Sequence, residues 1–201
     1  MKSLLCVFLI LLASACGGDP SSSSPNSRAS AALQNAGTVP FSTHVFIVVE
    51  ENHSYSSVIG SSSMPYLNSL ASKYGLAKQY YANTHPSTGN YFMLTAGQII
   101  TNNDSFCSTL TQDNVVRHLI AAGKTWKSYS ESLPSVGYTG CGGYPYARKH
   151  NPLSYFSDVV NSSEKSNLVP FSKFPSDLAN HTLPQYSFLV PNLLPMHTTE
   201  L

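Results

Sequence analysis

The run His44-Val45-Phe46-Ile47-Val48-Val49, followed at once by Glu50-Glu51-Asn52, decides the fold. A continuous apolar and β-branched segment of this length is the pattern of a strand buried on both faces, as in a parallel sheet. Working outward, Met64 to Tyr74 (MPYLNSLASKY) reads as a helix with Pro65 in its first turn. Its apolar residues Leu67, Leu70 and Tyr74 share one face, and Gly75 stops it. Ser87 to Ala96 follows a proline and reads as a second helix. Asp113 to Ala122 (DNVVRHLIAA) is a third, with Val116, Leu119 and Ile120 inward and Gly123 at its end. Thr125 to Ser130 and Tyr186 to Val190 (YSFLV) read as further strands. Strands alternating with helices indicate an α/β domain, a mainly parallel sheet flanked by helices. No internal repeat is evident.

The chain has 201 residues, the size of one domain or of the amino-terminal portion of a larger one. Its hydrophobic fraction of 42% is enough to build a core. Charged residues are only 10%, against roughly 25% in ordinary soluble domains. The formal net charge is +1 and no basic cluster occurs, which argues against a nucleic-acid partner.

Residues 1–15 read as a processing signal rather than as fold. Lys2 supplies a positive start, and Leu4 to Leu12 form an apolar stretch too short to span a bilayer. Ala13-Ser14-Ala15-Cys16 is similar to a bacterial lipobox, although Ala13 stands where Leu is usual. The expectation is an exported lipoprotein of the outer membrane, cell surface or periplasm, touching the membrane only through lipid on Cys16. The alternative is an ordinary secretory leader that leaves Cys16 a spare thiol. Residues 16–38, with Ser21 to Ser24 in a row, read as a flexible tether, and residues 39–201 as the domain. Of the four cysteines, Cys107 and Cys141 remain after Cys6 and Cys16 are set aside. In an oxidising compartment they read as a disulfide closing about 33 residues, a contribution on the order of 3–4 kcal/mol.

The chemistry gathers where strands end, because ligands of parallel sheets sit beyond the carboxyl ends of the strands. Glu50-Glu51-Asn52 falls there, as metal ligands or as a solvated acidic loop. Thr84-His85-Pro86-Ser87-Thr88-Gly89-Asn90-Tyr91 leads into the second helix. A serine at a helix start has free backbone N–H groups beside it that can hold a phosphate, and a metal ion can activate its hydroxyl. Ser87 could equally be a helix cap.

Taken together, these stretches resemble the bacterial phosphoesterase family of acid phosphatases and phosphocholine-type phospholipases C, itself similar to the alkaline-phosphatase superfamily. The matching segments are Val48 to Tyr55, Met64 to Ala71, Thr84 to Ser87 with Asn90-Tyr91, and Leu119 to Tyr129. Tyr146 to Pro152 (YARKHNP) and Phe188 to Asn192 (FLVPN) complete them in family order. The resemblance implies a phosphoric ester hydrolase with Ser87 as nucleophile and a divalent metal ion held by Glu51, Asn52 and Ser87. It implies Asn90 as a donor to a phosphoryl oxygen, and Lys149 and His150 as substrate contacts unless they merely form a turn. His85 is a pocket residue or a core histidine.

The resemblance also implies acids after Asn192 and a later strand ending in an acidic pair that completes the metal site. After Pro191-Asn192 the sequence reads LLPMHTTEL instead. Three expectations follow: a chain that carries the family's amino-terminal portion, a compact relative with a differently completed site, or a non-catalytic surface lipoprotein that keeps the fold. Within the enzyme reading, acid phosphatase is preferred over phospholipase C on the compact His-Pro-Ser-x-x-Asn-Tyr form.

Overall fold

The computed structural model describes residues 6–10 and 42–194. The proposed lipidation site Cys16, most of the leader and tether, and residues 195–201 lie outside the described residues.

Strand β1 (Cys6–Ile10) falls inside the segment read as a leader and pairs antiparallel with β2 (Val45–Glu50). Helices α1 (Tyr55–Val58), α2 (Pro65–Lys73), α3 (Ser87–Ala96) and α4 (Val115–Ala121) come next, followed by β3 (Trp126–Ser130). The chain continues through α5 (Ser157–Val160), β4 (Leu168–Pro170), α6 (Lys173–Ala179) and β5 (Tyr186–Val190). The strand order is β1-β2-β5-β3-β4, and every pairing except β1 with β2 is parallel. The α/β architecture read from the sequence is the one observed.

Alternation along the strands divides the residues between two faces. Ile47, Val49, Trp126, Phe188 and Val190 point to the main core, where Tyr91 and Phe92 of α3 meet them. On the other face Phe46 and Tyr129 meet Phe174 of α6 edge-on. Lys127 and Tyr129 both bond Asp177 of α6, at 2.6 and 2.7 Å. Cys107 and Cys141 are joined by a disulfide, their Cα atoms 5.3 Å apart.

Several expectations need correction. In β2 only Val49 is fully buried, so the strand is not covered completely on both faces. In α2 no residue is buried, and Tyr74 is exposed, so the stripe of Leu67, Leu70 and Tyr74 does not enter a core. Ile120 of α4 also faces outward, leaving Val116 as the buried anchor of that helix. Asn114 caps α4, its side chain accepting from the Arg117 N–H.

Candidate active site

Ser87 is the first residue of α3, after the N-cap Pro86, which offers no side-chain bond. The Ser87 hydroxyl donates to Oε1 of Glu51 at 3.3 Å. His150 Nε2 stands 2.7 Å from the same oxygen. That contact is close but off the line of a ring N–H, so it is a polar contact without an aligned hydrogen bond. Three segments far apart in sequence therefore converge on one carboxylate oxygen. β2 delivers Glu51 at its carboxyl end, α3 delivers Ser87, and the tight turn Arg148–His150 packs against α3 to deliver His150.

The turn is anchored from below. Arg148 is buried, with its guanidinium over the Tyr155 ring and bonded to the carbonyls of Cys107 and Ser154. Asn151 accepts from Ser128 of β3 at 2.8 Å. His150 is 3% exposed and stacks on Tyr91 at 5.0 Å between ring centroids. Both ring nitrogens of His150 and the Tyr91 hydroxyl lack a hydrogen-bond partner among the described residues. A buried polar atom left so costs about 1–3 kcal/mol, so the cluster around Glu51 keeps unspent bonding capacity. Burial first, and then the charges of Glu51 and Glu50, push the Tyr91 phenol well above its ordinary range. It stays a neutral hydroxyl.

A second network fixes the first turn of α3. Asp104 accepts from the Thr88 N–H at 3.2 Å and from its hydroxyl at 2.7 Å, and it pairs with Lys149. Partial burial raises the Asp104 pKa, but the bonds from Lys149 and Thr88 outweigh it and hold the carboxyl below its usual value. Gly89 follows, and a Cβ there would overlap the Asn102 side chain and the Thr84 methyl. Only glycine lets the loop press this closely on the helix.

The sequence candidates thus separate. Glu51, Ser87 and His150 come together. Lys149 pairs with Asp104, the carboxylate that also holds Thr88 beside the serine. Asn90 turns toward the preceding loop. Its Oδ1 accepts from the N–H groups of Asn83 and Thr84, and its amide donates to the Thr84 carbonyl, so it clamps the loop rather than reaching outward. Asn52 is exposed and left-handed, φ 68°, a conformation Asn tolerates better than most residues. His85 is exposed as well.

Sequence reasoning missed Asp104 and Glu131. From Ser54 to Asn103 the sequence contains no Asp or Glu, which makes Asp104 conspicuous once noticed. Glu131 directly follows β3, as Glu51 follows β2, and accepts from the Asn192 N–H at 2.9 Å. Burial, then the charge of Glu131, raise the Glu50 pKa, against an opposing effect of His53.

As a metal site the residues fit only in part. Glu51, Asn52 and Ser87 offer a carboxylate, an amide and a hydroxyl oxygen, whereas a hard dication takes about six oxygen donors. Among the described residues no group of three or more His, Cys, Asp or Glu side chains could hold a metal ion.

Known proteins are similar to this chain over much of its length. The family described as Phosphoesterase family matches residues 61–200. A phosphatidylinositol-3-phosphatase of Mycobacterium tuberculosis is 41% identical over 159 residues, which is 78% of this chain and 52% of that protein. A probable acid phosphatase of Kluyveromyces lactis is 34% identical over 158 residues, 74% of this chain and 37% of the relative. An acid phosphatase of Aspergillus fumigatus is 34% identical over 159 residues, 74% and 35% of the two chains. The matched region thus spans from about a third to about half the length of these relatives.

Proposed function

The chain belongs to the phosphoesterase family, and from that premise we propose that it acts as an acid-phosphatase-type hydrolase of phosphate monoesters, with Ser87 as nucleophile. The observation that carries this reading is the convergence of Ser87 and His150 on one oxygen of Glu51, at 3.3 and 2.7 Å. The relatives named acid phosphatase and phosphatidylinositol-3-phosphatase support the reaction class.

In the proposed reaction the Ser87 Oγ attacks phosphorus, forming a P–O bond to the serine as the ester P–O bond breaks. The Ser87 proton leaves along its hydrogen bond toward Glu51, and the departing alkoxide takes a proton from water. A second water then attacks the phosphoserine and gives a proton to the hydroxide left by the first; inorganic phosphate leaves, and the proton held by Glu51 returns to the Ser87 oxygen. The N–H groups of Ser87 and Gly89, in the first turn of α3, would stabilise charge on the phosphoryl oxygens. His150, stacked on Tyr91, stands against the Glu51 carboxylate and limits its contact with bulk water.

A divalent cation is part of the proposal, held by Glu51, Asn52 and Ser87 with further donors from outside the described residues. When bound it would supply Lewis-acid stabilisation of the serine alkoxide and of the phosphoryl charge. The leader pattern of residues 1–15 and the disulfide support export, with lipid on Cys16 as the proposed anchor.

The direct test is hydrolysis of p-nitrophenyl phosphate by wild type and Ser87→Ala, with and without added Mg²⁺, Mn²⁺ or Ca²⁺. Turnover that falls by about 10³-fold or more in the variant supports the assignment. Equal turnover in the two proteins, or none in either, refutes it.

A further inference from the structure

Helix α2, between Glu51 and Ser87 in the sequence, carries a face that the proposed chemistry does not use. In α2, Tyr66, Leu70, Lys73 and Tyr74 fall on one side of the helix by their i, i+4, i+7 and i+8 spacing. Tyr66 is 71% and Tyr74 55% exposed, and the Lys73 ammonium sits over the Tyr74 ring at 5.1 Å. Tyr80 and Tyr81, also exposed, extend the face along the loop that runs into Thr84 and Ser87. Lys78 stands in the same loop. No α2 residue is buried; the helix hangs instead on Asn68, whose amide bonds Val58, Met64 and Gly60 at 2.9, 2.7 and 2.6 Å.

The charge pattern selects the occupant. Between Ser54 and Asn103 there is no acid, so Lys73 and Lys78 are uncompensated within their own segment. Tyrosines that bury a ring and keep a wet hydroxyl, interleaved with lysines, suit the headgroup region of an anionic bilayer. We propose that α2 and the loop 75–81 form an interfacial docking face for an anionic lipid surface, which presents phosphorylated headgroups to Ser87. The proposal rests on the phosphomonoesterase reading for its purpose, but the docking is measured separately.

The experiment uses the full chain carrying Cys16→Ser, so that no lipid anchor contributes. Sedimentation with phosphatidylcholine vesicles, with and without phosphatidylserine, measures docking. Hydrolysis of p-nitrophenyl phosphate in the same samples measures chemistry. Binding is expected only to the anionic vesicles, weakening as salt rises. The pairs Tyr66→Ser/Tyr74→Ser and Lys73→Gln/Lys78→Gln should each weaken it by about tenfold or more and leave soluble turnover unchanged. Absence of binding to phosphatidylserine vesicles, or binding indifferent to both pairs, overturns the proposal. So does a dimer in sedimentation velocity that the tyrosine pair disperses, since the face then belongs to a second copy. Turnover of the soluble ester without vesicle binding removes the docking face and leaves the enzyme reading. Vesicle binding without turnover does the reverse.

Discussion

Helices α2 and α3 are held by the same device to opposite ends. Asn68 in α2 and Asn90 in α3 each turn the side-chain amide back onto the loop that precedes the helix. Around that clamp α3 buries Thr88, Gly89, Asn90, Tyr91, Phe92 and Thr95, whereas α2 buries nothing. A reacting hydroxyl has to be held in place to a fraction of an ångström, and α3 supplies that by packing and by Asp104. A helix with its apolar and aromatic residues outward contributes surface instead. The difference teaches that the polar clamp sets where a helix starts, while burial decides whether it can carry chemistry.

The sharpest way to break this contrast is at the serine. Ser87→Ala should lower kcat/KM for a soluble phosphomonoester by about 10³-fold or more. It should leave the melting temperature nearly unchanged, since Ser87 is half-buried and its one side-chain bond runs to Glu51. Next in size are the two clamps. Asn90→Ala removes a buried side chain and strands the part-buried N–H groups of Asn83 and Thr84, and should cost about 2–4 kcal/mol, read by urea unfolding. Asn68→Ala, at a helix that water already reaches, should cost about 1 kcal/mol. Equal losses would show that burial of α3 does not separate the two helices.

A smaller effect tests the acid that locks α3. The folded pKa of Asp104 lies below its unfolded value, so its contribution is complete above about pH 4 and is lost as pH falls through the folded value. Asp104→Asn should therefore lower stability near neutral pH and flatten its decline in acid, in thermal melts taken across that range. Glu50 has the opposite sign. Its folded pKa is raised, so it favours the unfolded chain as pH climbs above the usual carboxylate range, and Glu50→Gln should stabilise at neutral pH. Smallest of all, Tyr66→Ser in α2 should change stability by no more than about 0.5 kcal/mol.

The sheet and the main helices were legible because long apolar runs carry their own period. β2 and β5 are such runs, and α3 is announced by Pro86. β4 and α6 were not: Leu168–Pro170 is too short to show a period, and Pro175 in the first turn of α6 disguises it. The facing of α2 is not legible in the sequence, because Leu67, Leu70 and Tyr74 share one face whether or not a partner covers it, and periodicity does not say whether a partner exists. Within the site, Glu51, Ser87 and His150 were named from strand-end logic and family motifs. The roles of Asn90 and Lys149 depend on which groups the folded loops bring beside them, Thr84 and Asp104, and local sequence holds no record of that.

The central claim is that Ser87 carries the phosphoryl group. The most direct measurement is acid quench of the protein during turnover of a phosphomonoester, followed by peptide mass spectrometry. A phosphoryl group on the peptide containing Ser87, absent from Ser87→Ala, is the expected result. Turnover with that peptide unmodified and the label on another residue, or undiminished turnover in Ser87→Ala, would contradict it.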